Sequence, residues 1–193
     1  MLKEVLGVVA VAVALYAFIP YIQSIRKGRT RPHVFSWVIW GLTTFIVFLA
    51  QMVDGGGPGA WSTAVSGLVT FYVAWLAFSR HADSHITRSD WVFFTLALAA
   101  LPLWFATADP LWAVVVLTAV DALGFIPTIR KAYGAPFEEQ LGFYGVMALR
   151  NVISIFALEH YSLTTVLFPA VIAALCVLFI PMVLYRRQVT SAI

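Results

Sequence analysis

A chain of 193 residues that is 62% hydrophobic and only 11% charged carries far less charge than the roughly 25% of an average soluble domain. Its mean hydropathy of +0.91 points the same way, so a soluble domain is excluded and an integral membrane protein, with the lipid bilayer as its main partner, is expected. The net charge of +3 calls for no nucleic-acid partner, because the basic residues sit in short loops between apolar runs, and the single cysteine, Cys176, excludes an intrachain disulfide and Cys-x-x-Cys redox chemistry.

Seven segments approach the about 20 mainly apolar residues that a spanning helix needs. In chain order they cover residues 4–25, 33–53, 60–80, 90–106, 111–131, 137–159 and 161–186. The first is long enough to span and lacks a small-residue cleavage site, which predicts a retained helix and not a cleaved leader. Gly55-Gly56-Gly57-Pro58-Gly59 breaks the second segment from the third, and Asp109-Pro110 opens the fifth with proline well placed at a helix start. No stretch between segments is long enough for a soluble domain.

Lysine and arginine set the expected orientation. The connections after segments one, three and five and the tail carry Arg26, Lys27, Arg29, Arg31, Arg80, Arg88, Arg130, Lys131, Arg186 and Arg187; those after two, four and six carry none. This bias predicts an amino terminus outside and a carboxyl terminus in the cytoplasm, in a plasma (inner) membrane, with Lys3, beside Glu4, the one dissenter on the outside. The odd number of spans fits those two ends.

The chain also repeats. Phe18-Ile19-Pro20 returns as Phe125-Ile126-Pro127, each copy followed by a short basic loop, and Trp40-Gly41 in the next segment returns as Tyr144-Gly145. Trp61-Ser62 opens the third segment as Tyr161-Ser162 opens the seventh. The expected fold is therefore all-α: a three-helix repeat over 1–80, a linker helix within 81–110 and a second three-helix repeat over 111–193, arranged as parallel repeats.

With these residues in view, the chain resembles the PQ-loop and SWEET superfamily, as a divergent member: the proline-glutamine pair is absent, Pro20 being followed by Tyr21 and Pro127 by Thr128. The resemblance implies transport of a small solute by rocking of two bundles about a site near the midplane. Sugar facilitators of that group carry asparagines midway along the third and seventh helices; here the third has Ser66 and Thr70, the seventh has Thr164, Thr165 and Pro169, and neither has asparagine, which points away from a sugar. Trp37-Val38-Ile39-Trp40 also resembles a vitamin-precursor transporter family of the same architecture.

Asp121 is the sharpest single feature, because a charge at the bilayer centre costs about 2.5–3.5 kcal/mol on insertion scales and normally faces a cavity or a partner. Counting residues from the helix ends puts Arg150 at matching depth and makes it the expected partner. Such a pair either locks helices five and six together, or serves as a proton relay or a clamp for a substrate carboxylate. Asn151 adjoins Arg150, and Trp40, Tyr72, Trp75 and Tyr144 lie deep enough to line a cavity; Asp121, Arg150, Asn151, Trp40 and Tyr144 are the binding or coupling candidates. Pro20 and Pro127 remove a backbone hydrogen bond each and are candidate hinges.

Catalytic residues, metal ligands and cofactors are not expected. There is no His-Glu-x-x-His motif; His33, His81, His85 and His160 fall at helix ends or in loops; and the last helix has no lysine for a retinal. The expected function is transport of a small polar solute by alternating access, facilitative or proton-coupled. The alternative is a non-transporting receptor or interaction protein on the same scaffold, and a homo-oligomer is compatible with either.

Overall fold

The computed structural model describes residues 1–28, 34–80, 88–134, 136–138 and 141–191. Among these the chain is all-helical: α1 (Leu2–Arg26), α2 (Val34–Val53), α3 (Pro58–Ser79), α4 (Arg88–Thr107), α5 (Pro110–Gly134), a 3-10 turn (Pro136–Glu138), α6 (Leu141–Ala157) and α7 (Leu163–Ser191). Three helices, α1, α3 and α7, are long and apolar enough to cross a membrane, and α2, α4, α5 and α6 carry shorter apolar stretches. The outward faces are apolar too: Leu68, Phe78, Phe105 and Leu178 are all more than half exposed. A surface of that kind belongs against lipid, and the protein is membrane-embedded.

The sixth helix is shorter than expected at both ends, whereas α7 begins two residues later and runs five residues further than expected. Phe137 lies in the 3-10 turn and not in α6, because that turn is docked on the end of α7: Arg187 Nε donates to the Pro136 carbonyl at 3.0 Å, with its guanidinium over the Phe137 ring. At the other end α6 stops at Ala157. The Leu158 amide turns back to the Ile155 carbonyl at 3.1 Å, and the Glu159 amide is recruited by the Gly56 carbonyl at 3.3 Å. The expected helix therefore loses residues at both ends.

Packing does not follow chain order. α3 lies between α1 and α2, and α7 lies between α5 and α6. The two groups of three meet along α1 with α6, α2 with α5, α3 with α6, and α2 with α7; α4 packs on α5 and α2. One core cluster joins Ile46, Val47 and Ala50 of α2 to Ala97 and Ala100 of α4, Ala113, Val114 and Leu117 of α5, and Phe168 of α7. Its alanines let backbones approach closely, which is how helices associate where lipid removes the hydrophobic drive between them.

The start of α1, the α2–α3 connection and the α6–α7 connection converge at one end of the bundle. There Lys3 Nζ donates to the Phe156 carbonyl at 2.8 Å and to the Tyr161 hydroxyl at 3.1 Å. The basic residues Arg26, Lys27, Arg80, Arg88, Arg186 and Arg187 lie at the helix ends away from it. Expectations resting on Arg29, Arg31, Pro32, His33, His81 and His85 lie outside the described residues, as do those on the side chains of Pro127, Arg130 and Lys131.

Candidate functional site

Ser62, Ser66 and Thr70 recur every fourth residue of α3, so they share one face of that helix, and all three are buried. Arg150 of α6 faces this stripe. Its Nη2 donates to the Ser62 carbonyl at 2.8 Å and to the Ser66 hydroxyl at 2.9 Å, and its Nη1 donates to Asn151 Oδ1 at 2.7 Å. The Ser62 and Ser154 hydroxyls meet at 2.5 Å, and Ser154 Oγ donates back to the Arg150 carbonyl at 2.8 Å. Arg150 is 2% exposed, and its Nε is buried without a hydrogen-bond partner. Taking an ion out of water costs on the order of several kcal/mol; hydrogen bonds from a charged donor, about 1.5–3 kcal/mol each, offset that cost here with no acidic partner among the described residues.

Asp121 of α5 belongs to a different contact. The Thr43 hydroxyl of α2 donates to its Oδ1 at 2.6 Å and also lies 3.0 Å from the Trp40 carbonyl. The Trp40 indole packs over Gly124, one turn along α5, so closely that a Cβ there would stand 2.9 Å from Nε1. Asp121, Thr43 and Trp40 thus form one unit across the α2–α5 contact.

The expected pairing of Asp121 with Arg150 is overturned. No ion pair joins them among the described residues, and α5 and α6 are not packing neighbours, because α7 lies between them. Nor do the two charges share a depth. At about 1.5 Å per residue, Asp121 lies about 16 Å from the Pro110 end of α5, and Arg150 about 10 Å from the Ala157 end of α6. The earlier end of α6 accounts for about half of the mismatch.

Tyr144 joins neither polar unit through its ring contacts: it packs on Phe125, Phe143 and Phe179, with centroids 5.9, 5.5 and 4.4 Å away. Phe143 carries this cluster across to Phe18 and Tyr21 of α1, each at 6.3 Å. Trp75 is not deep: it is 61% exposed and stacks on Tyr72. α1 runs on through Pro20 and the backbone of α5 through Pro127.

A polar clasp at the converging end went unread in the sequence. The Ser162 hydroxyl donates to the Asp54 carboxylate, His160 Nδ1 lies 2.9 Å from the Asp54 carbonyl, and Thr165 Oγ1 donates to the His160 carbonyl at 2.8 Å. Deeper, Gln51 Nε2 donates to the Thr165 carbonyl at 2.8 Å. Gly57 sits at φ 57 against Glu159, where a Cβ would come within 2.6 Å of the Glu159 carboxyl carbon, so only glycine fits. The serines spaced by four on α3 and the Thr43 hydroxyl three residues after Trp40 were the available signals for the other missed residues.

Among the described residues no group of three or more His, Cys, Asp or Glu could hold a metal ion. No family model matches the chain, and no curated protein or solved structure matches it either.

Proposed function

We propose that the protein transports a small polar solute across a membrane by alternating access. In this reading its seven helices span the bilayer as two parallel three-helix bundles, residues 1–80 and 111–193, joined by α4. The basic ends face the cytoplasm by the positive-inside rule, and the clasp faces outward from the plasma (inner) membrane. The resemblance to PQ-loop and SWEET transporters supports the same reading.

One observation carries it. Side-chain bonds at the clasp end run from one group of helices to the other: Asp54 with Ser162, Gln51 with Thr165, Ser62 with Ser154, and Lys3 with Phe156. Those described at the basic end stay within a group: Arg26 with Tyr72, Arg186 with Tyr133, and Arg187 with Pro136. Nearer the basic end the described link between the groups is the aromatic contact of Phe143 with Phe18 and Tyr21. Bundles hydrogen-bonded to each other at the clasp end have the form of a transporter closed to that side. Asp121, Thr43 and Trp40, on the α2–α5 contact between the bundles, are the central solute or coupling candidates, and Pro20 and Pro127 the hinges.

The test uses the clasp. Gly55 has a φ of 74, where a side chain costs about 1–2 kcal/mol, and an added Cβ there would lie 3.6 Å from His160 Cβ, within the about 3.5–4.5 Å of a disulfide. In a Cys176→Ala background, Gly55→Cys with His160→Cys should cross-link on oxidation. Proteoliposomes are then assayed against labelled sugars, amino acids, nucleosides and vitamins. Saturable uptake of one class, stopped by oxidation and restored by reduction, is the expected result. Saturable binding with no uptake would instead make the protein a receptor, and uptake indifferent to the cross-link would sink the alternating-access reading.

A further inference from the structure

The two sides of the bundle are held by corresponding helix pairs with unlike donors. On the α2–α7 side a neutral amide suffices: Gln51 Nε2 donates to the Thr165 carbonyl at 2.8 Å. On the α3–α6 side the same kind of bond, side chain to helix carbonyl, is made by a guanidinium, Arg150 to the Ser62 carbonyl at 2.8 Å. Holding helices together therefore does not require a charge here. The charge is nonetheless present, 2% exposed, with no acidic partner among the described residues. Of the five N–H donors of a guanidinium, three are engaged and Nε is buried with no partner at all. The one buried acid among the described residues, Asp121, is committed to Thr43 on another contact.

We propose that Arg150 is the receiving group for an oxyanion of the solute, a carboxylate or a phosphate, taken up from the clasp side. This names the solute class for the transport reading and rests on it. As the α3–α6 contact opens, the Ser62 carbonyl and the Ser66 hydroxyl leave the guanidinium, and the anion replaces them with charge-assisted hydrogen bonds, which are the stronger kind. Asn151 keeps its bond to Nη1 and, through Nδ2 to the Met147 carbonyl at 2.8 Å, holds the orientation. Ser66 competes with the anion for the same nitrogen, so closing the contact expels it. The solute's own charge thus drives the exchange between closed and open clasp.

Equilibrium binding to the purified full chain tests this apart from transport. Acetate, succinate and inorganic phosphate are titrated at constant ionic strength, with acetamide and succinamide as neutral counterparts and phosphatidylglycerol micelles as a lipid arm; the readouts are thermal stability and tryptophan fluorescence. The wild type should bind at least one soluble anion saturably and neither amide. Arg150→Gln keeps a donor for Ser62 and should weaken that binding by about tenfold or more. Ser66→Ala removes the competitor, keeps the charge, and should tighten it. If Arg150→Gln does not fold, the wild-type contrast of anion with amide and the opposite shift in Ser66→Ala still decide. Equal binding of anions and amides, an Arg150→Gln protein that binds anions as the wild type does, or a response to phosphatidylglycerol alone would each overturn the proposal. Anion binding without uptake would leave the site standing and remove transport; uptake of a neutral solute without anion binding would do the reverse.

Discussion

Thr43 and Asp121 meet across the α2–α5 contact, the threonine hydroxyl donating to the carboxylate over 2.6 Å. The acid most exposed to suspicion in the sequence is thus held by a neutral hydroxyl from the other group of helices, and any movement of one group against the other at this level strains or releases that bond.

Thr43→Val keeps the shape of the side chain and deletes the donor. Leaving a buried carboxylate without its partner should cost about 1–3 kcal/mol, while Thr43→Ser should restore most of it. Thermal unfolding in detergent measures both; equal stability of the valine and serine proteins would show that the bond contributes nothing.

Asp121→Asn preserves an oxygen that can accept from Thr43, so the fold should survive with a change of under about 1 kcal/mol. If uptake is driven by a pH gradient, the variant should lose the gradient dependence, since its amide does not exchange a proton. Proteoliposomes with an imposed gradient give the answer, and undiminished gradient-driven uptake would remove Asp121 from any coupling role.

Gly59 marks the closest approach of α3 to the end of α6. A Cβ there would stand 2.7 Å from both the Leu158 amide nitrogen and the Ser154 carbonyl oxygen, backbone atoms that cannot swing aside. Gly59→Ala should therefore destabilise by about 1–3 kcal/mol through overpacking. Gly142, with open space around it, is the control, and Gly142→Ala should stay within about 0.5 kcal/mol. Matching midpoints for the two variants would contradict the close contact.

Asp54→Ala removes the acceptor for the Ser162 hydroxyl and the carboxylate beside His160. With about 1–2 kcal/mol less holding the clasp, the open population should rise about five- to thirtyfold. Cys176 is the only cysteine in the chain and is 2% exposed, so the rate at which a water-soluble maleimide labels it reports that opening. A rate no faster than wild type would mean that the clasp is not what keeps this end shut.

Helix positions were largely legible in the sequence because each apolar run is bounded by charge, glycine or proline. The exception is instructive. Phe137 reads as the start of a helix, yet Pro136 and Phe137 are drawn to Arg187, and Glu159 reads as its end, yet its amide answers to Gly56. Both boundaries are set by contacts with residues distant in the chain, which no local pattern contains. The pairing of Asp121 with Arg150 failed for a related reason: it assumed that consecutive helices are neighbours and that α6 runs on to Glu159, two residues past its actual end at Ala157.

By itself the sequence determined that the chain is all-helical, that its helices are apolar on most faces, and that its lysines and arginines, Lys3 and Arg150 apart, fall after the first, third and fifth segments and in the tail. Those properties follow from composition and chain order, because backbone groups in lipid must be satisfied within each helix. Only the tertiary structure decided the partners: Asp121 with Thr43, Arg150 with Ser62 and Ser66, and Asp54 with Ser162. A helix apolar on all sides carries little record of which face meets which neighbour. It is the insertion of α3 between α1 and α2, and of α7 between α5 and α6, that separates the two buried charges and gives each its own hydroxyl partner.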